Sequence, residues 1–304
     1  MNQIPAKQNE QVQLERLAAQ REIYSFAKRL HLLQIIITVV IPIILFILSS
    51  IYNQIIIYTA LFGILVFVCD SILIAPSIKK LKTKAAKIQE LFDCAVLELE
   101  RSPLKTVSDV AVEEILLHYD AHKKIEKNIE KIRDWYPTNI SELPITLARI
   151  ICQRANCWWD SKLRIRYSNF LLYFGLLVFV SIFVVSFISK ADVSALTLYL
   201  SGLVPLFQFC NREFFEHRDA AKRLDELVCY SEKIWESALT NIQDYHENKL
   251  NSRRLQDEIF EHRSKSPLIL DEFYNLFRDQ NEVLMNRTSE ILIDEAKEKM
   301  KKSR

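Results

Sequence analysis

The chain has 304 residues, half of them hydrophobic, and its 40 basic and 38 acidic side chains leave a net charge of +2. That balance makes no overall case for DNA or RNA as a partner, since nucleic-acid binders carry a clear basic excess, so any electrostatic argument must be local. Only three glycines occur, Gly63, Gly175 and Gly202, each in an apolar block, which excludes P-loop, dinucleotide-fold and kinase sites that need several glycines beside phosphate.

The same glycines either allow close approach of packed membrane helices or are incidental. The six cysteines, Cys69, Cys94, Cys152, Cys157, Cys210 and Cys229, contain no CxxC pair. Reduced thiols are expected, with no disulfide framework and no zinc.

Residues 1–31 read as an N-terminal amphipathic helix ahead of the first apolar block. A span needs roughly 20 apolar residues to cross about 30 Å of hydrocarbon, and four segments qualify. Leu32–Tyr52 and Ile55–Ala75 are joined at Asn53 and Gln54, while Asn169–Ser189 and Val193–Cys210 flank Lys190, Ala191 and Asp192. The reading is two transmembrane hairpins, over 32–75 and 168–211. Lys and Arg crowd the outer flanks: Arg21, Lys28 and Arg29, then Lys79 to Lys87, then Lys162 to Arg166, then Arg212 to Arg223. The short turns hold one lysine between them, so both termini and the central segment are expected in the cytosol, with the chain passing through its membrane several times. The first block is not a cleaved signal, because about thirty polar residues precede it and no small-residue cleavage pattern follows.

The cytosolic helical domain is expected from segments 76–167 and 212–304. Pro76 is expected to close the second span helix, Pro103 and Pro137 to bracket an amphipathic helix with Ile115, Tyr119, Ile125, Ile129 and Ile132, and Pro144 to open one running into the third span. Strand signals are weak, strongest at Ala95–Leu99. After the fourth span no proline or glycine occurs before Arg263. Unbroken, that helix would have about 50 residues and a length on the order of 75 Å, and a kink or turn inside it is the expectation. Its heptad stripe (Ala221, Val228, Trp235, Ile242, with Leu224, Ala238 and Tyr245 in step) suits coiled-coil pairing. Pro267 splits the tail, and a last helix is expected from Leu268 to about Lys299. The fold class is an all-α integral membrane protein.

Nothing points to an enzyme. His118 and His122 have metal-compatible spacing, but Tyr119 stands where a zincin has its general base, and the pair reads as a solvated helix face. Asp70 lies inside the second span, where an acid costs about 2.5–3.5 kcal/mol at mid-membrane, so it should face protein or water. It is a pore-lining or gating residue, or else a packing contact, with Gln208 and Asn211 as candidate partners. The densest polar and aromatic stretch runs from Asp134-Trp135-Tyr136-Pro137 to Tyr167. Within it Arg149, Gln153, Asn156, Asp160 and Arg164 share a helix face. Such a row suits either nucleotide recognition or a juxtamembrane helix with an Asp160–Arg164 ion pair.

Asp134-Trp135-Tyr136-Pro137, Ala148-Arg149, Cys152-Gln153-Arg154 with Asn156, Trp159 and Asp160, and Leu163-Arg164 with Tyr167 resemble the signature of the SMODS-associated four-transmembrane effectors of CBASS-type antiphage systems. Ala18-Ala19-Gln20-Arg21 with Tyr24, Ala27 and Lys28, and the stretch from Ala85 to Cys94, resemble it too. Motif detail covers about residue 10 to the third span; beyond Cys210 only topology matches. Glu98-Leu99-Glu100 departs from the family pattern, leaving that loop's role open. The resemblance implies an antiphage effector that oligomerises into a pore, or disrupts the inner membrane, under a cyclic oligonucleotide made by a partner nucleotidyltransferase. It implies depolarisation, membrane lipid and self-association as partners, and no cofactor beyond that regulatory ligand. Trp135, Tyr136, Arg149, Arg154, Asn156, Trp159, Asp160 and Arg164 are the ligand-binding residues chosen on this basis. A constitutive channel or transporter, or a membrane-anchored signalling scaffold, are the competing functions.

Overall fold

The computed structural model describes residues 2–102, 110–124, 129–158, 160–241, 244–271, 273 and 278–302. Among these the structure is helical and contains no strand. After one helical turn at Ile4–Lys7 the helices are α1 (Gln11–Ile51), α2 (Asn53–Val96), α3 (Val112–Lys123), α4 (Ile145–Trp158), α5 (Asp160–Ile188), α6 (Val193–Thr240), α7 (Tyr245–Lys265) and α8 (Arg278–Lys302). Stretches long and apolar enough to cross a membrane occur four times: in α1, in α2, in the run ending at Ile188 and in α6. The helices do not stop at the ends of the apolar blocks. At 48 residues, α6 is about 72 Å long, so more than half of it lies beyond any bilayer core.

Proline shapes the first two rods. Pro42 and Pro76 have no N–H to donate, and each ring crowds the carbonyl four residues back. Just before each, the helix widens into a π turn, at Ile36–Val40 and at Asp70–Ile74, and then resumes. A widened turn absorbs the misfit without ending the helix. Pro76 therefore does not close the second apolar helix as expected; α2 runs through it to Val96. The candidate strand at Ala95–Leu99 is the end of that helix and its cap. The Leu97 N–H donates to the Asp93 carbonyl at 2.8 Å and the Leu99 N–H to the Cys94 carbonyl at 2.9 Å, around Glu98 at φ 55°. A left-handed residue at this place ends a helix by satisfying its last carbonyls.

The spans converge on α6, which packs against α5, α2 and α1. A Cβ on Gly63 would sit 2.7 Å from the Ser201 carbonyl oxygen, and one on Gly202 would sit 2.8 Å from Thr59 Cγ2. These two glycines let α2 and α6 touch backbone to backbone. At Gly175 the nearest atom would be Cys210 Cβ at 3.6 Å, an ordinary contact.

Beyond the spans, α1, α2, α4, α6, α7 and α8 enclose a second core around Leu17, Phe92, Ile151, Leu224, Ile259 and Ile293. The rod after the fourth apolar block ends at Thr240, and the next helix begins at Tyr245. Asp244 accepts from the Glu247 N–H at 3.0 Å and starts α7. Leu224, Trp235 and Ala238 of the heptad stripe are buried in this core, covered by the chain's own helices; Ala221 is buried as well, and Ile242 lies outside the described residues. The bracketed amphipathic helix is shorter than expected. α3 ends at Lys123, Ile115 and Ile132 are buried, and Ile125 lies outside the described residues.

Candidate functional site

Where the spans give way to polar helices, side chains of α1, α2, α5 and α6 form a buried polar junction. Asp70, first residue of the π turn in α2, is only 1% exposed. Its Oδ1 accepts from Gln34 Nε2 and its Oδ2 from Arg212 Nη1 at 2.9 Å. Gln34 Oε1 lies 2.9 Å from His31 Nδ1; an amide oxygen only accepts, so this ring nitrogen carries the proton. The Arg212 guanidinium sits over Phe209, and its Nε is 3.8 Å from Glu213. Asp70 thus faces protein, and its partners are Gln34 and Arg212 in place of Gln208 and Asn211. Gln208 donates instead to Ser71 Oγ at 3.0 Å, and Asn211 is exposed.

The junction continues down α6. His217 Nε2 is 3.5 Å from Glu213 Oε2, and its Nδ1 faces Arg164 Nη1 at 3.3 Å. Guanidinium only donates, which leaves Nδ1 as acceptor and places the ring proton on Nε2, toward the carboxylate. Burial pushes the Glu213 carboxyl up, but His217, His31 and Arg212 more than reverse this and hold it at about 2. Burial lowers His217 below the ordinary imidazole value. Arg164 also donates to the Pro267 carbonyl at 3.0 Å and to Asp160 at 2.7 Å. His262 Nε2 stands 3.7 Å from the same aspartate. Burial pushes Asp160 up, and Arg164 and His262 outweigh it, holding the carboxyl well below its usual range.

An open cleft of about 690 Å³ adjoins this junction, between α1, α2, α6 and the Ser266–Leu268 segment. Lys79, Lys82, Arg212, Arg223 and Lys265 line it, against Glu213, Glu216 and Asp219. Lys82 is 7% exposed, and Nζ donates to the Ser266 carbonyl at 2.9 Å. It occupies the inward stripe of α2 with Ile78 and Ala86, one turn away on either side. Burial lowers its pKa, opposed by Glu216 and Glu213.

The ligand residues expected from the sequence divide between two places. Asp160 and Arg164 belong to the junction just described. Arg149 is fully buried and caps the C-terminus of α2, donating from Nε to the Leu97 carbonyl at 2.7 Å and from Nη2 to the Glu98 carbonyl at 3.3 Å. Tyr136 donates to Asp93 Oδ1 at 2.7 Å and accepts from Asn156 Nδ2 at 3.1 Å. Asp93, with no exposure, also accepts from Gln256 at 3.0 Å and from Arg263. Burial, with Asp93 beside it, pushes the Tyr136 hydroxyl well above its ordinary value. Arg154 pairs with Glu232 at 2.9 Å, and the Arg21 guanidinium lies 5.6 Å from the Trp135 ring. The helix face predicted from spacing exists, and it is turned into the protein. Trp159 lies outside the described residues. His122 sits 3.4 Å from Glu22, and no group of three metal-ligating side chains occurs among the described residues.

The family model of the SMODS-associating 4TM effector domain matches residues 2–292. The chain belongs to this family. A probable CBASS effector molecule of Bacillus cereus (strain VD146) is 26% identical over 285 residues, covering 91% of this chain and 93% of the relative. No solved structure matches. The SMODS-associating 4TM match reaches past the start of the third span, where the sequence motifs end, and beyond Cys210 through α7 and into α8. Four apolar helices in a 4TM effector domain make the chain a multi-pass membrane protein. Gln34, Lys82, Arg212, His217 and His262, which build the junction and its cleft, were not singled out by the sequence motifs.

Proposed function

We propose that this chain is a non-enzymatic antiphage effector of the bacterial inner membrane. It assembles with copies of itself into a pore, or otherwise breaches the bilayer, when a cyclic oligonucleotide from a partner nucleotidyltransferase reaches its cytosolic helices. Infected cells would then lose their membrane potential. The polar junction is the observation that carries this reading: Asp70 in a span is held by Arg212, and Arg212 also lines a cation-rich cleft. A ligand arriving from the cytosol would therefore act on a contact between two spans. The basic flanks support an orientation with that cleft, both termini and the helical core inside the cell. Two hairpins are too few to line a wide conduit alone, which is why self-assembly belongs to the proposal. The spans leave large apolar side chains such as Leu61, Leu65, Tyr173 and Leu177 exposed for lipid or for neighbouring copies.

Dye-loaded liposomes containing the purified chain test this directly. Release on adding cyclic di- or trinucleotides, and only then, is expected. Unprompted flux would make the chain a constitutive channel, and intact vesicles with bound nucleotide would make it an anchored scaffold.

A further inference from the structure

We infer that the cleft between α1, α2, α6 and the Ser266–Leu268 segment is a phosphodiester-binding site with Lys82 as its buried cation. The inference deepens the proposed function and rests on it for the ligand's source, a cyclic oligonucleotide. An anionic lipid headgroup presents the same diester chemistry at the level where the spans leave the membrane.

Lys82 is the reason. An ammonium group has three donors; the Ser266 carbonyl takes one at 2.9 Å, and Lys82 makes no ion pair among the described residues. Desolvating a charge is costly unless it is paired, and Glu216 and Glu213 oppose that cost without forming an ion pair with Lys82 among the described residues, so an anion that takes its remaining donors is favoured here. Lys79, one turn away on α2, and Arg223 across the cleft on α6 are also without ion pairs among the described residues. The cations at Arg212 and Lys265 already have partners, Asp70 and Glu261. Three uncommitted cations match a ligand with two or three singly charged phosphates.

The remaining lining fits the rest of such a ligand. Glu216 and Asp219 offer acceptors to ribose hydroxyls and exocyclic amines, groups that inorganic phosphate lacks. A cleft of about 690 Å³ is far larger than one phosphate needs, and sits within the roughly 300–1,000 Å³ of small-molecule sites. Because Arg212 also lines it, a bound phosphate competes with Asp70 for that guanidinium.

The test is equilibrium binding of labelled cyclic di-AMP and cyclic tri-AMP to the full chain in phosphatidylcholine nanodiscs. Retained lipid is counted by native mass spectrometry when phosphatidylglycerol is added. Lys82→Met is compared with wild type and with the double variant Lys79→Glu/Arg223→Glu, which leaves the buried lysine and its packing intact. The expected result is nucleotide binding weakened tenfold or more in both variants. Phosphatidylglycerol retained through Lys82, with both nucleotides ignored, would support the diester site with lipid as its source and count against the proposed messenger control. Nucleotide bound equally by all three proteins would overturn the site while leaving the proposed function standing. Binding of neither ligand would also overturn it.

Discussion

Arg212 donates to Asp70 across the contact between α6 and α2, tying the end of the fourth apolar helix to a carboxylate buried within the second. Both ends of that contact are committed. Asp70 also holds Gln34 of α1, and Arg212 stands beside Glu213, where the chain of contacts to His217 and Arg164 begins.

Removing one partner of a buried ion pair strands the other charge, at about 3–5 kcal/mol, whereas replacing both with apolar groups is often close to neutral. Asp70→Leu and Arg212→Leu are each expected to lower the thermal midpoint in detergent markedly. The Asp70→Leu/Arg212→Leu double variant should recover most of that loss. A double variant showing the sum of the single losses would mean that the two side chains act independently.

Gly63 and Gly175 should behave differently although both lie in apolar helices. Alanine at Gly63 meets the Ser201 and Gly202 backbone at under 3 Å, and overpacking of this kind costs about 1–3 kcal/mol. Alanine at Gly175 meets only the Cys210 side chain at ordinary distance. Thermal unfolding of the two single variants should separate them; equal midpoints would contradict the backbone contact.

Arg149 and Arg154 are five residues apart on the same helix but differ in role. Arg149→Met removes charged hydrogen bonds from two carbonyls at the end of α2, a loss of about 1.5–3 kcal/mol for such bonds. Arg154→Ala breaks a pair whose glutamate is half exposed, with an effect of about 0–1 kcal/mol. Denaturant titration followed by tryptophan fluorescence would measure both. Arg149→Met with unchanged stability and lost nucleotide binding would return Arg149 to the ligand site.

His217 and His262 make stability depend on pH. Burial lowers both below the ordinary value of 6.5. His217 meets Glu213 and Arg164; His262 meets Asp160, with Arg164 and Arg223 opposing its charge. With folded pKa values depressed, the unfolded chain binds more protons as pH falls through about 6.5, so stability drops on acidification. The thermal midpoint should be lower at pH 5.5 than at pH 7.5, and the drop should shrink in His217→Gln/His262→Gln. An unchanged drop in that variant would assign it to other groups.

The four spans were legible because apolar blocks of this length have one physical use, whereas contacts between blocks were not. Gln34 was visible as a polar residue in an apolar run, but nothing in one sequence says that it meets Asp70. Pro76 looked like a stop because a proline removes a helical hydrogen bond; the π turn that absorbs it has no distinct sequence sign. The break after Thr240 lacks proline and glycine, yet Asp244 three residues before Glu247 is capping-box spacing that would have placed it. The row from Arg149 to Arg164 followed from 3.6-residue periodicity, which fixes a shared face but not what that face meets. Lys82 passed as one of several flanking lysines, and only its place between Ile78 and Ala86 distinguished it.

The membrane potential of cells expressing this chain, followed with a voltage-sensitive dye while a co-expressed nucleotidyltransferase is switched on, tests messenger-controlled permeabilisation most directly. The potential should collapse within minutes of cyclic oligonucleotide synthesis and hold steady with a catalytically dead synthase. A potential that holds while the messenger accumulates, or that collapses equally without it, would rule out messenger-controlled permeabilisation by this chain.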